Sequence, residues 1–361
     1  MSAVHGHFVY TGLPCRVLFG VDAVASLAAE LDALGARRAV LLTTPSHAAT
    51  AAAAAAALGD RCVGTLAESV QHVPQNAIGE AEAFAVAHRA DVLVALGGGS
   101  SIGLAKALAL SSALPIVAIP TTYSGSEMTP IYGITRDGAK RTGRDASVLP
   151  KTVLYDPTLL LSLPVATAAA SGMNAMAHCV EALYARDANP VVSLIAEEGI
   201  RALGDALPRI ADGPTMRGPR SDALYGSWLA GIALGSVGMA LHHKIAHVLG
   251  GSFGLRHAQT HAALLPHTAA YNAAAAPDAL ARVARALHAT DAPSALFDLL
   301  CASGAPTALG PLGFGARDTQ RAIELLTQSP YDNPRPIEVH AVRALLDGAR
   351  EGVRPTSSSY A

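Results

Sequence analysis

Of the chain's 14 histidines, six fall between His242 and His267, far denser than even scattering over 361 residues. Imidazole donates, accepts, carries charge or binds a metal near neutral pH, so clustering it serves sites that handle protons or metals. His243 and His247 lie four residues apart, and upstream Asn174 and His178 repeat that spacing. On a helix, residues four apart share a face. Two such pairs, with His257 nearby, predict a pocket between helices. Three imidazoles suffice for catalytic zinc or iron with one position left open to substrate. His261 and His267, taken singly, have the more ordinary reading of capped or surface histidines.

A second kind of chemistry sits in the first half. Asp91 to Leu96 is an apolar run that leads into Gly97-Gly98-Gly99-Ser100-Ser101 and then a helical segment through Ser112. Strand, glycine turn and helix form an anion site, because glycines admit a close backbone approach and the first free N–H groups attract negative charge. The spacing is neither GxGxxG, since Ile102 stands where the third glycine belongs, nor the P-loop, nor GxSxG. The next apolar run, Pro115 to Ile119, ends in Pro120-Thr121-Thr122-Tyr123-Ser124-Gly125-Ser126-Glu127. Both loops follow parallel strands and so belong to the carboxyl edge of the sheet, where open α/β sheets bind ligands. Lys140-Arg141-Thr142-Gly143-Arg144-Asp145 then supplies cations for a pyrophosphate or a substrate carboxylate, a solvated turn being the plainer alternative.

The elements that carry these residues change character along the chain. Arg16–Phe19 and Ala39–Thr43 read as strands, Ala23–Leu34 and the alanine run 48–57 as helices, and Arg61–Leu66 as a further strand. Beyond Asp156-Pro157 the periodicity is helical over 162–212, 220–249 and 277–303. The expected organisation is an α/β domain with a Rossmann-like parallel sheet over residues 1–160 and an all-α domain over 161–361. Thr356–Ser359 reads as a loose end.

Composition narrows the function. The net charge is −2 with no run of Lys and Arg, which argues against nucleic acid. Mean hydropathy is +0.32, yet no apolar run approaches the roughly 18 residues of a spanning helix, so no membrane role is expected. The four cysteines are far apart and the N-terminus lacks a signal-peptide pattern, which fits a reduced cytoplasmic setting.

Gly97-Gly98-Gly99-Ser100, Pro120-Thr121-Thr122, Gly172-x-Asn174-x-x-x-His178 and His243-x-x-x-His247-x-x-Gly250 with His257 together resemble the iron-containing (group III) alcohol dehydrogenase superfamily over nearly the whole chain. The resemblance implies its dehydroquinate synthase-like architecture, a dinucleotide-binding domain and a helical metal-binding domain with nicotinamide and substrate held in a cleft. The usual ligands, an aspartate and three histidines, map to 174, 178, 243 and 257. This sequence departs at Asn174, a neutral amide in place of a carboxylate, and at Gly103, where GGGSxxD has aspartate. Losing a hard anionic ligand lowers divalent-metal affinity.

With Lys140–Asp145, Tyr123–Glu127 and His242-His243-Lys244, these departures resemble the maleylacetate reductase branch, which implies NADH- or NADPH-dependent reduction of a C=C bond in a dicarboxylate without a required metal. On that resemblance His178 and His243 form the polar core beside Asn174, and His247 and His257 orient substrate or nicotinamide. Thr44, Gly98, Gly99, Ser100, Thr121, Thr122, Ser124 and Lys140 hold the cofactor, while Tyr123, Arg144, Lys244 and Arg256 meet the substrate. Thr43-Thr44-Pro45 follows the second strand without a carboxylate to repel a 2′-phosphate, so both cofactors are expected to serve. A homodimer is implied by the resemblance alone. The competing expectations are a zinc- or iron-dependent alcohol dehydrogenase of the same fold and a non-catalytic nucleotide-binding protein.

Overall fold

The computed structural model describes residues 7–68, 75–136, 139–328 and 330–360, without the side chains of 135, 136 and 139–141. Two compact units emerge, Leu13–Leu163 and Pro164–Ala361, and the latter includes the described residues before Leu13.

The first unit alternates strand and helix in the order β1 (Arg16–Phe19), α1 (Leu27–Ala33), β2 (Ala39–Thr43), α2 (Ala48–Leu58), β3 (Cys62–Ala67), α3 (Gln75–Ala87), β4 (Val92–Gly97), α4 (Gly99–Ser112) and β5 (Ile116–Pro120). After a hairpin of β6 (Ile131–Arg136) and β7 (Ala139–Arg144), β8 (Thr152–Tyr155) completes the sheet. The sheet is parallel throughout, in the order β1-β8-β5-β4-β2-β3. Every residue of β2, β4 and β5 is buried, which is why these strands read as unbroken apolar runs rather than alternating ones. From β2 the chain proceeds outward to β3, and from β4 it proceeds the other way to β5. The carboxyl ends of the adjacent strands β2 and β4 therefore form the topological switch point, the place where such sheets bind ligands.

The hairpin corrects the sequence reading. Lys140 to Arg144 lie on β7, paired antiparallel with β6, and Arg144 stands opposite Ile131. Asp145 ends the strand and accepts the Ser147 N–H at 2.8 Å.

The second unit is helical: α5 (Val165–Leu183), α6 (Pro190–Asp212), α7 (Arg217–Ser236), α8 (Leu241–Phe253), α9 (His257–Asn272), α10 (Pro277–Ala286), α11 (Ala292–Ser303), α12 (Asp318–Thr327) and α13 (Val339–Glu351). Helix α5 is its axis, buried at every residue from Ala168 to Leu183 and packed by α6, α7 and α9. Each stretch of helical periodicity holds two helices, α5 and α6 over 162–212, α7 and α8 over 220–249 and α10 and α11 over 277–303, and α7 and α8 meet at a bend of 97°. The C-terminus is not loose. Ser294 Oγ donates to the Pro355 carbonyl at 3.0 Å, Ser357 N–H to Asp291 at 3.1 Å, and the Tyr360 hydroxyl bonds His267 Nδ1 at 2.7 Å. Among the described residues no single helix is long and apolar enough to cross a membrane.

Candidate active site

Asn174, His178 and Glu181 on the largely apolar helix α5 are spaced so that they fall along one face. All three are buried. Glu181 accepts the backbone N–H groups of Ala240 at 3.0 Å, His242 at 2.8 Å and His243 at 3.3 Å, so a carboxylate from α5 caps the amino end of α8. The cap explains the bend between α7 and α8 in functional terms, because it fixes the first turn of α8 and with it His243.

The same carboxylate then fixes a proton. His243 Nδ1 lies 2.6 Å from Glu181 Oε2, and a carboxylate only accepts, so Nδ1 is the protonated nitrogen. His243 Nε2 lies 2.8 Å from His178 Nδ1, and His178 Nε2 lies 3.4 Å from the Asn174 amide nitrogen. With His243 neutral, His178 Nδ1 donates to it and the Asn174 amide donates to His178 Nε2. A proton added to this chain can pass from His243 to His178 while the carboxylate stabilises the imidazolium, the division of labour seen in acid–base triads.

A second chain runs beside the first. Thr268 donates its hydroxyl proton to the Leu265 carbonyl at 3.1 Å and receives His242 Nδ1–H at 2.9 Å. His242 Nε2 must then accept, and His261 Nδ1 donates to it at 2.8 Å. Burial, reinforced by neighbouring histidines, holds His242 and His261 well below the usual imidazole pKa, so both are neutral at pH 7. His261 Nε2 and Asn174 Oδ1 are buried without a hydrogen-bond partner among the described residues, as expected where a ligand atom completes the set. The rings of His243 and His261 are 4.9 Å apart, those of His257 and His261 4.4 Å, and those of His247 and His257 6.2 Å and stacked. His257 is half-buried and His247 exposed, so the His243/His247 pair does not point at one buried spot.

The structure thus brings together Asn174, His178 and His243, with His257 and His247 stepping outward from them. It adds Glu181, His242 and His261 to the histidines the spacing singled out. Glu181 had a signal, a further polar position on the α5 face, but its bonds go to the distant backbone of α8. Lys244 neighbours the cluster with its ammonium 5.4 Å from the Tyr331 ring, and Arg256 is the exposed residue immediately before α9. A cavity of about 610 Å³ opens at the α7–α8 bend, lined by Tyr184, Arg186, Met239, Ala240 and Asn333.

These donors do not fit a divalent cation. His178 Nδ1 and His243 Nε2 are turned on each other, and the fourth position is a neutral amide.

In the α/β unit, the glycine turn and the loop after β5 pack together. Thr121 N–H donates to the Gly97 carbonyl at 3.0 Å, and a Cβ on Gly98 would lie 3.0 Å from Thr122 Cγ2. No side chain caps α4 at Gly98, so its first N–H groups remain for an anion. Thr43 Oγ1, Ser101 Oγ and Thr121 Oγ1 are buried and without a hydrogen-bond partner among the described residues. Open helix amides, a glycine surface and unmatched hydroxyls at a switch point fit the pyrophosphate of a dinucleotide. Gly99 and Ser100 begin α4, Ser124 donates to Glu127 at 3.0 Å, and the Thr44 hydroxyl sits 3.1 Å from His47 Nδ1 at the end of β2. The Lys140 side chain lies outside the described residues. Arg144 is exposed, whereas Tyr123 is fully buried and packs inside the protein instead of offering its ring to a substrate.

Comparison with known proteins agrees with both halves. Residues 14–157 match the iron-containing alcohol dehydrogenase family, and residues 168–350 match the C-terminal region of the Fe-containing alcohol dehydrogenase family. The chain is 51% identical over 349 residues to a maleylacetate reductase of Burkholderia cepacia, covering 97% of this chain and 99% of that protein. The chain belongs to the iron-containing alcohol dehydrogenase family, on the branch that holds the maleylacetate reductases. A maleylacetate reductase of Sphingobium indicum is 50% identical over 351 residues, 97% of this chain and 99% of that one. The crystal structure of maleylacetate reductase from Agrobacterium tumefaciens superposes with a TM-score of 0.93 at 48% identity, covering 97% of this chain and 100% of that chain. Membership makes the chain an oxidoreductase with the parallel-sheet and helical halves of that family.

Proposed function

We propose that the chain reduces the C=C bond of maleylacetate to give 3-oxoadipate, with NADH or NADPH as reductant. The observation that carries this reading is the hydrogen-bonded chain Glu181–His243–His178 ending beside Asn174. It is an acid–base and oxyanion arrangement rather than a converged metal-ligand set, in a chain half identical to maleylacetate reductases.

The double bond of maleylacetate is conjugated with a ketone. Bound nicotinamide supplies the hydride that this double bond receives. What remains for the protein is an enolate oxygen that needs a donor and a carbon that needs a proton. A protonated His243, held by Glu181, transfers its Nε2 proton to His178, whose Nε2–H then meets the developing oxyanion. His257 and His247, stepping from half-buried to exposed, supply the solvent side of the proton path. One hydride and one proton are added across the bond, and the ketone is restored. Lys244 and Arg256 flank the cluster and suit the two carboxylates, with Arg144 a further cation.

Cofactor contacts fall to Thr44, Gly98, Gly99, Ser100, Thr121, Thr122, Ser124 and Lys140. Lacking a carboxylate after β2, the site accepts either dinucleotide. The same reading includes a homodimer, a cytoplasmic setting and no nucleic acid or membrane partner. Following NADH absorbance with maleylacetate against a panel of simple alcohols and aldehydes tests it: consumption confined to maleylacetate is expected, and preference for an alcohol or aldehyde would overturn it.

A further inference from the structure

Lys106 lies two turns into α4, is 2% exposed, and sits among Ile102, Leu104, Ala105, Ala107 and Leu108, all buried. Its ammonium donates to the carbonyls of Ser126 at 2.6 Å, Thr129 at 2.7 Å and Ile131 at 2.8 Å, and to Thr129 Oγ1 at 3.0 Å. Three protons thus serve four acceptors, and no donor faces the nitrogen, so the bonding requires the charged form. Burial pulls the ammonium down to about 7, opposed first by the Glu127 carboxylate and then by Cys15. Glu127, fully buried, accepts from Ser124 Oγ at 3.0 Å and the Tyr155 hydroxyl at 2.8 Å.

A buried ammonium in an apolar helix is a weak way to gain stability, since a hydrophobic residue of similar size often does as well. The placement of its bonds points elsewhere. All four Lys106 acceptors lie on one segment, the exit of the loop after β5 and the first residue of β6. The entrance of that loop, Thr121 to Ser124, packs on the glycine turn that opens α4. Thr122 faces Gly98, and a Cβ on Gly99 would lie 3.9 Å from Ser124 Cβ. Helix α4 therefore grips the loop at both ends: at its own first turn, and through Lys106 two turns on. Between the grips stand the unmatched buried hydroxyls of Thr121 and Ser101.

We propose that Lys106 is a positioning residue for dinucleotide binding, which fixes the Thr121–Ile131 segment to α4, while Glu127 ties the same segment to Tyr155 on β8, so that the two loops form one rigid cradle for a pyrophosphate. It acts through the loop, without touching the ligand. Preorganisation of this kind lowers the ordering cost of binding and leaves the chemical step alone. The proposal rests on reading these loops as the dinucleotide site.

The test compares wild type, Lys106→Met and Thr129→Val as full chains. Thr129→Val removes one Lys106 acceptor, together with the hydroxyl's own bonds to the Ser126 carbonyl and the Ile131 N–H, and keeps the three Lys106 bonds to carbonyls. NADH is titrated by fluorescence without substrate, kcat is measured at saturating NADH, and amide hydrogen exchange is followed over residues 121–131. Lys106→Met is expected to raise the Kd for NADH by about tenfold or more, and Thr129→Val by about threefold, with kcat unchanged within about twofold and faster exchange across the segment. Unchanged Kd in folded Lys106→Met, or a loss confined to kcat and the fraction of folded protein, overturns the proposal. If Lys106→Met does not fold, Thr129→Val decides by the same split. Wild type that binds neither NADH nor NADPH sinks the underlying reading of the loops instead.

Discussion

Glu181 Oε2 stands 2.6 Å from His243 Nδ1 while the same carboxylate holds the backbone N–H groups of Ala240, His242 and His243. One buried side chain thus sets the position of a helix, the rotamer of a histidine and the tautomer of that histidine. Removing its charge affects all three. Glu181→Gln brings an amide N–H against backbone N–H donors, and kcat is expected to fall by about a hundredfold with a stability loss of about 2 kcal/mol. Thermal melting and steady-state rates on the same preparation check it. Unaltered kcat would show that the carboxylate is only a helix cap.

His178→Gln separates the inner and outer parts of the chain. Glutamine keeps an amide near Asn174 but cannot relay a proton, so kcat is expected to drop by about 10² to 10⁴ with KM for NADH little changed. His247→Gln, at an exposed position, is expected to cost about tenfold or less. Equal losses at the two positions would contradict the order from buried relay to exposed edge.

Acid sensitivity has a definite sign. Burial holds His267 down to about 4, against an ordinary 6.5. Between those values the unfolded chain binds a proton that the folded chain does not, so stability is full above pH 6.5 and is lost as pH falls through the window toward 4. The loss from this group amounts to about 3 kcal/mol. Tm is expected to fall between pH 7 and 4.5, and less steeply in His267→Phe. His242 and His261, shifted in the same direction by burial, keep some of the slope.

The glycine turn offers two neighbouring tests with different outcomes. Gly97 has φ of +151°, and its Cβ would meet Ser101 Oγ at 2.3 Å, so Gly97→Ala is expected to destabilise the fold by about 2 to 4 kcal/mol. Gly98→Ala meets only Thr122 and displaces that side chain, so it is expected to raise the Kd for NADH about fivefold with little change in Tm.

Sequence pattern carries the parts of this fold that are decided locally. β2 and β4 are buried on both faces and so are continuous in apolar residues, and the glycine turn and α4 follow from their own residues. Asn174 and His178 are legible because four residues on a helix make one face. The β6–β7 hairpin is not, since Lys140 to Asp145 contains the residue types of a solvated turn, and pairing with 131–136 is what makes it a strand. The tail around Thr356–Ser359 looks unstructured until Asp291, Ser294 and His267 are folded beside it. Glu181 and Lys106 share that difficulty: each bonds backbone groups far along the chain or in a neighbouring loop, and no local spacing announces them.

The central claim is that this buried imidazole chain, without a metal, assists hydride transfer to a conjugated double bond. Single-turnover oxidation of NADH by maleylacetate in excess chelator, with wild type beside His243→Ala, tests it most directly. Full-rate turnover by chelator-treated wild type and a loss of at least about a hundredfold in His243→Ala are expected. Loss of wild-type activity on chelation with recovery on adding Zn²⁺ or Fe²⁺, or an unimpaired His243→Ala, would contradict it.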